Sequence, residues 1–258
     1  MKCMARSYKK NVVITDKTQL DEGIFSMWVR DEEITAEAKP GQFLSLYCKS
    51  GNRLLPRPIS ICEINHVKGE LRLVYRVAGQ GTEEISGYHI GDSIEVMGPL
   101  GNGFPLEEKK VILIGGGIGI PPMLELAKQI PGEKNIVLGY RDTTFLKEEF
   151  LPYGKVYIAT EDGSLGTKGN VLDAIRENGL EGELLYACGP TPMLKGIQAY
   201  GVERGIKTYL SLEERMACGI GACLACVCKT KEKDHHTNVN NTRICKEGPV
   251  FSGEEIEL

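Results

Sequence analysis

The chain has 258 residues, 41% hydrophobic and 26% charged, with a formal net charge of −4. That is ordinary for a globular protein in water and lacks the basic excess that a nucleic-acid partner calls for. No apolar run approaches the ~20 residues of a membrane span, and the opening Met-Lys-Cys-Met-Ala-Arg has no signal-peptide core, so a cytoplasmic protein is expected.

Residues 1–106 read as all-β. Short β-rich runs at 11–15, 23–29, 42–48, 59–64, 70–77 and 93–97 are separated by turn signals such as Lys39-Pro-Gly41, Gly79-Gln-Gly81 and Gly98-Pro-Leu-Gly101. Six strands at this spacing predict a small barrel or sandwich. The rhythm changes at Lys110. A continuous apolar strand over 111–114 opens a β/α alternation, with strands at 135–140, 155–160, 184–188 and 208–210 and helices at 123–129, 145–151, 170–177 and 193–204. This predicts a doubly wound α/β domain over 107–211. From 212 to 258 the alternation stops and a cysteine module follows.

Nine cysteines are an odd number, and five of them lie beyond residue 217. That argues against a secreted disulfide framework and for metal ligation in a reducing compartment. Cys218, Cys223, Cys226 and Cys245 are spaced C-x4-C-x2-C, then 18 residues, then C. This is the plant-type ligand spacing of a 2Fe-2S cluster, and Gly219 and Gly221 permit a tight wrap around it. Cys228 is an extra thiol that the spacing leaves out in favour of Cys226. His235 and His236 would evoke a Rieske site, but no C-x-H pair accompanies them, and they read as solvated loop residues.

Between the strand at 111–114 and the next helix lies Gly115-Gly-Gly-Ile-Gly119, followed by Pro121 and Pro122. Glycines let a backbone approach a pyrophosphate at a helix N-terminus, although Ile120 holds the third glycine position of a strict G-x-G-x-x-G. With the alternating domain behind it, the loop predicts dinucleotide binding through Gly115, Gly116, Gly117 and Gly119. Cys188-Gly-Pro190 ends a later strand, where ligands of open α/β sheets sit; the plain alternative is a buried thiol packing as a small hydrophobe. In the β-domain, Arg57-Pro-Ile-Ser60, Val74-Tyr-Arg76 and Gly81-Thr82 combine an arginine for phosphate, a ring for stacking and a Gly-Thr turn, a set suited to a flavin nucleotide; each alone would more often be a surface arginine or a core tyrosine. Asp142 is a candidate for excluding a 2′-phosphate, with Arg141 beside it pulling the other way.

These motifs, in this order, resemble the ferredoxin–NADP reductase superfamily. The segment from Glu214 to Cys228 with Cys245-Lys-Glu-Gly-Pro-Val-Phe251 resembles one branch of it, the electron-transfer subunits of dihydroorotate dehydrogenase B. The resemblance covers essentially the whole chain. It implies a multidomain α+β protein: an antiparallel FAD barrel, an NAD-binding α/β domain and a small 2Fe-2S module. It implies FAD contacts from Arg57, Pro58, Ile59, Ser60, Val74, Tyr75, Arg76, Gly81 and Thr82, and iron ligation by Cys218, Cys223, Cys226 and Cys245. Ser60 and Cys188 would lie at the reactive end of flavin and nicotinamide. The implied partner is an FMN-containing catalytic subunit, two copies of each forming the assembly, with electrons passing by way of cluster and FAD to NAD+ in pyrimidine biosynthesis. A reductase subunit of another complex, of hydrogenase or ferredoxin:NADP transhydrogenase type, shares the layout; a non-enzymatic redox sensor is a third reading, and the paired flavin and nucleotide motifs count against it because a sensor needs no hydride site. The polar stretch 229–241 is somewhat longer than usual for the family.

Overall fold

The computed structural model describes residues 7–141, 143–233 and 238–258. The expectations for Asp142, His235 and His236 therefore lie outside the described residues.

The N-terminal elements are β1 (Tyr8–Asp21), β2 (Ile24–Arg30), α1 (Glu32–Glu37), β3 (Phe43–Tyr47), β4 (Arg57–Asn65), β5 (Glu70–Arg76), α2 (Gln80–Ser86) and β6 (Ser93–Leu100). The six strands close into an antiparallel barrel in the order β1-β2-β5-β4-β3-β6. Alternate residues point inward, so Leu44, Leu46, Leu71, Leu73, Tyr75, Ile94 and Val96 fill the interior. The intervening positions face outward, where Phe43, Cys62 and Val74 join the cores of the neighbouring layers.

The alternating region gives β7 (Val111–Gly116), a 3₁₀ turn (Gly117–Gly119), α3 (Pro121–Gln129), β8 (Lys134–Tyr140), α4 (Lys147–Phe150), β9 (Lys155–Thr160), β10 (Thr167–Lys168), α5 (Val171–Glu177), β11 (Leu184–Cys188), α6 (Thr191–Arg204) and β12 (Lys207–Ser211). The C-terminal residues add β13 (Val227–Thr230), β14 (Asn241–Arg243), β15 (Val250–Ser252) and β16 (Ile256–Glu257). The large sheet runs β10-β9-β8-β7-β11-β12-β15, and every neighbouring pair is parallel except β12-β15. A second sheet, β14-β13-β16, carries the rest of the cysteine module.

Three local readings differ from the sequence. The helix expected over 145–151 shrinks to one turn. Leu146 adopts φ 62°, and Phe145 is pinned before the helix by its ring against Tyr140 and by the Tyr140 hydroxyl donating to its carbonyl at 2.7 Å. The expected turn at Gly79–Gly81 instead opens α2, because the Thr82 hydroxyl accepts from the N–H groups of Ala78 and Gly79 at 2.9 and 3.3 Å. The C-terminal module does not stand apart: β15 extends the α/β sheet, and the Asn102 side chain, from the segment after β6, donates to the carbonyls of Glu247 and Val250 and accepts from Val250 N–H.

The barrel is fixed against the α/β layer by charge as well as by apolar packing. Glu125 of α3, 3% exposed, accepts the backbone N–H of Ile64 on β4 at 2.7 Å. Arg72 on β5 donates to Ser26, Glu63 and Glu149, and Lys128 joins Glu63 at 2.9 Å. Glu63 is shared by Arg72 of β5 and Lys128 of α3, and Glu125 by Ile64 of β4 and Lys128 of α3, which holds the layers in one register.

Candidate cofactor sites

The cysteine loop follows β12. Gly219 and Gly221 take φ values of +70° and +82°, a region that costs a side-chain-bearing residue, and Leu224 also turns left-handed at +58°. These reversals aim backbone N–H groups at sulfur. Ile220 and Ala222 donate to Cys218 Sγ at 3.5 and 3.3 Å, Gly221 to Cys245 Sγ at 3.1 Å, and Cys245 to Cys226 Sγ at 3.4 Å. Burial works against a Cys218 thiolate, but the surrounding N–H groups prevail and bring its pKa down to about 6. Burial, then the Cys226 sulfur beside it, pushes Cys245 up to about 12.

Among the described residues no three His, Cys, Asp or Glu side chains converge as on a single ion. The thiols instead fall into two neighbouring pairs, Cys218 with Cys223 and Cys226 with Cys245. A cluster of two irons held by four thiolates needs such a donor set, and the N–H groups supply hydrogen bonds to its sulfurs. The four thiols therefore fit a diiron cluster. Cys228 is not drawn in: it lies on β13 opposite Thr242, half-buried against the apolar core, and burial pushes its thiol up to about 11. Cys223, Ile220 and Leu224 are exposed, so the outer side of the loop is open and apolar.

The inner side of this loop rests on the barrel. A Cβ on Gly219 would meet Met97 Cε at 3.1 Å, Leu100 Cδ1 at 3.2 Å and Ser45 Oγ at 3.2 Å. Ser45 pairs with Met97 of β6 on one side and with Pro58 of β4 on the other, and Phe43 pairs with Ser60. The Arg57–Ser60 stretch is thus two strands away from β6, about 10 Å at the usual strand spacing. Pro58 and Ser60 are half-buried on the outer face; Arg57 and Ile59 alternate with them.

Arg57 projects toward α2. Its Nε would lie 1.9 Å from a Cβ on Gly81, so only glycine leaves the guanidinium its place. That guanidinium donates to the Leu55 carbonyl and not to a carboxylate. The first-turn N–H groups of α2 stand next to it, and such groups lack intrahelical acceptors. A guanidinium with free donors beside free N–H groups fits a phosphate. Thr82 spends its hydroxyl on closing the turn. Loop and helix are tied by Glu84, which accepts from the Ser50 hydroxyl at 2.5 Å, the Tyr88 hydroxyl at 2.6 Å and Arg53. The ring expected to stack on a flavin does not do so: Tyr75 lies inside the barrel, 1% exposed and stacked on Phe25, a core tyrosine with its hydroxyl unpartnered among the described residues; Val74 faces the α/β layer. Arg76 is exposed and lines a recess of ≈ 260 Å³ with Asp21, Glu22, Gly117, Tyr140 and Arg141.

The strand order of the large sheet reverses between β7 and β11, the switch point where nucleotides bind in open α/β sheets. The Gly115–Gly119 loop leaves β7 there and Cys188-Gly-Pro190 leaves β11. The two loops touch: a Cβ on Gly119 would lie 2.4 Å from the Cys188 carbonyl oxygen, and one on Gly116 2.4 Å from Met193 Sδ. Cys188 is fully buried, and burial drives its thiol pKa well up, with the Glu213 charge adding to it. It stays protonated at neutral pH, so it can shape the end of the site but not act as a base.

Sequence reasoning singled out each of these glycines and cysteines but not Ser45, Met97 or Asn102, which seat the cysteine loop. One signal for Ser45 was available: a polar residue in the otherwise apolar strand Phe-Leu-Ser-Leu-Tyr.

Residues 213–257 match the iron–sulfur cluster binding domain of dihydroorotate dehydrogenase B, and residues 11–104 match the oxidoreductase FAD-binding domain. A Bacillus velezensis protein described as dihydroorotate dehydrogenase B (NAD(+)), electron transfer subunit, is 42% identical over 262 residues, covering 97% of this chain and 99% of the relative. A Geobacillus kaustophilus protein of the same description is 40% identical over 260 residues, with the same coverage. Among solved structures, the NADH-dependent reduced ferredoxin-NADP oxidoreductase superposes with a TM-score of 0.83 at 29% identity, over 95% of this chain and 89% of the other. The ferredoxin reductase of carbazole 1,9a-dioxygenase shares the fold, with a TM-score of 0.65 at 18% identity, over 78% and 67% of the two chains.

Proposed function

Since the chain belongs to the family of dihydroorotate dehydrogenase B electron-transfer subunits, we propose that it carries electrons between a dihydroorotate-oxidising partner and NAD+, in pyrimidine biosynthesis. The cofactors are FAD on the barrel and a 2Fe-2S cluster in the C-terminal loop, with NAD as co-substrate at the sheet's switch point. The partner is an FMN-containing catalytic subunit, in an assembly with two copies of each.

One observation carries this reading. The cysteine loop rests through Gly219 on Ser45 of β3 and on Met97 and Leu100 of β6, one and two strands from the Arg57–Ser60 stretch on the same outer face of the barrel. A relay needs its two centres held a short, fixed distance apart, and the barrel wall provides that distance. Cys218, Cys223, Cys226 and Cys245 hold the cluster. Arg57, Gly81 and Thr82 hold the flavin phosphates, while Pro58, Ile59, Ser60 and Arg76 shape the flavin's bed; Val74 and Tyr75, whose side chains are buried in the two cores, offer only the backbone of β5. Gly115, Gly116, Gly117 and Gly119 admit the nucleotide backbone, and Ser60 and Cys188 bound the reacting end, Cys188 as a neutral thiol. FAD supplies exchange between one-electron and two-electron carriers, and the cluster supplies single-electron transfer. The open side of the loop, with Ile220 and Leu224, is the face for the partner.

A transhydrogenase-type reductase subunit is the second reading, favoured by the 0.83 TM-score to a ferredoxin-NADP oxidoreductase. The 39–42% relatives spanning 97% of the chain weigh against it. The test of the cofactor reading is ligand replacement. Cys226→Ser should remove the visible and EPR spectrum of a 2Fe-2S cluster, because a hard oxygen ligand replaces thiolate poorly, while Cys228→Ser should keep it. NADH oxidation with an artificial acceptor should persist in both, a rate that a pure redox sensor would lack. A spectrum lost with Cys228 and kept with Cys226 would overturn the ligand set.

A further inference from the structure

Four buried side-chain polar atoms have no hydrogen-bond partner among the described residues: Thr15 Oγ1, Ser45 Oγ, Arg53 Nε and Tyr75 Oη. Of these four, Ser45 stands between the two cofactor sites. A buried hydroxyl without a partner is rare in native proteins, and an unseen ligand is one standard reason for it.

The surroundings narrow down what that ligand is. Ser45 is 0% exposed. Its β4 neighbour is Pro58, which has no N–H to give, and its β6 neighbour is the apolar Met97. The Leu100 side chain reaches the same spot, so the hydroxyl is walled by hydrocarbon on the barrel side. The remaining direction is the cysteine loop. Gly219 lies so close that its absent Cβ would sit 3.2 Å from Ser45 Oγ, with the loop turned left-handed there at φ +70°. Gly219 directly follows Cys218, whose sulfur already collects the N–H groups of Ile220 and Ala222. The loop is therefore built to surround sulfur with donors, and the Ser45 hydroxyl beside it has no partner among the described residues.

We propose that Ser45 is a positioning residue of the cluster: its hydroxyl donates a hydrogen bond to a sulfur of the 2Fe-2S centre and raises the centre's reduction potential. The inference rests on the iron–sulfur reading given above. Reduction adds one electron to the cluster, and no bond to the protein forms or breaks. A donor to sulfur favours the more negative reduced form, and hydrogen bonds of this kind are among the determinants of such potentials. Because Ser45 is part of the β3 ladder, the bond also locks the loop to the strand beside the flavin.

The test uses the full chain purified with FAD and cluster bound. EPR-monitored redox titration of Ser45→Ala should move the cluster to lower potential, by about tenfold in the one-electron equilibrium, or 59 mV. Deuterium ENDOR of the reduced cluster after exchange into D2O should lose one coupled exchangeable deuteron in Ser45→Ala and keep it in Ser45→Thr. FAD content and flavin potential should stay unchanged. A cluster potential and deuteron signal equal to wild type would overturn the proposal. A shifted flavin potential with an unchanged cluster would overturn it too, assigning the hydroxyl to the flavin. Absence of a 2Fe-2S signal in the wild-type chain would instead sink the iron–sulfur reading beneath it.

Discussion

At the scale of single residues, the sites depend on atoms that are missing as much as on those present. Gly81 lacks the Cβ that would lie 1.9 Å from Arg57 Nε. Gly81→Ala should therefore push the guanidinium off its phosphate. A hydrogen bond to a charged group contributes about 1.5–3 kcal/mol, so FAD retention should fall roughly ten- to a hundredfold. Flavin content after dialysis checks this, and retention equal to wild type would mean that Arg57 does not hold phosphate. The glycines and cysteines were legible in the sequence because their spacing reports the chemistry directly. Ser45 was not, because its importance comes from Gly219, 174 positions later in the chain, arriving above it. For Cys188 the sequence left two readings open, and the structure puts the thiol in the apolar core, the plainer of the two, because the Gly119 loop covers the strand end.

At the scale of elements, strand and helix periods identified the barrel and the β/α alternation, and they failed where one side chain overrides a local signal. The Gly79–Gly81 turn became the start of α2 through the Thr82 hydroxyl, and β15 joined the large sheet by a pairing that no local pattern announces. The loop between β3 and β4 is tied to α2 through Glu84. Hydrogen bonds from the Ser50 and Tyr88 hydroxyls, with lesser help from the Ser50 N–H and Arg53, hold the Glu84 carboxyl down at about 2. Its folded pKa is depressed below the unfolded value near 4.3, so its contribution is present above that value and is lost as the pH falls toward 2. Glu84→Gln should therefore be less stable than wild type at pH 7, and the difference should close between about pH 4.3 and 2. Denaturant midpoints measured across that range check it; a gap that stays constant would show that the carboxylate charge plays no part. Because Glu84 also steadies the turn beside Arg57, the variant should lose flavin faster at neutral pH.

At the scale of the whole molecule, the barrel face acts as a mounting plate. The Arg57–Ser60 stretch proposed for the flavin lies on one strand, the cysteine loop rests on the next two, and the α/β layer is held to the same barrel through the charges of Glu63, Arg72, Glu125 and Lys128. On the proposed reading the outward side of the loop faces the partner. Ile220 is 55% exposed and Leu224 61%, apolar surface beside an electron carrier. Ile220→Asp should weaken the complex with the catalytic subunit, because a carboxylate would be desolvated at the contact, and should leave the cluster spectrum intact. Size-exclusion chromatography of the mixed subunits reads the first effect and EPR the second; a complex of undiminished affinity would move the docking face elsewhere.

The central claim is that this chain links dihydroorotate oxidation in a partner to NAD+. The most direct measurement is dihydroorotate-dependent formation of NADH by the purified chain, by an FMN-containing dihydroorotate dehydrogenase subunit, and by the two combined. Activity should appear in the combined sample alone, and replacing Cys226 with Ser should abolish it while NADH oxidation with an artificial acceptor continues. Conversion of dihydroorotate by the chain alone, or a combined sample that forms no NADH, would contradict the account.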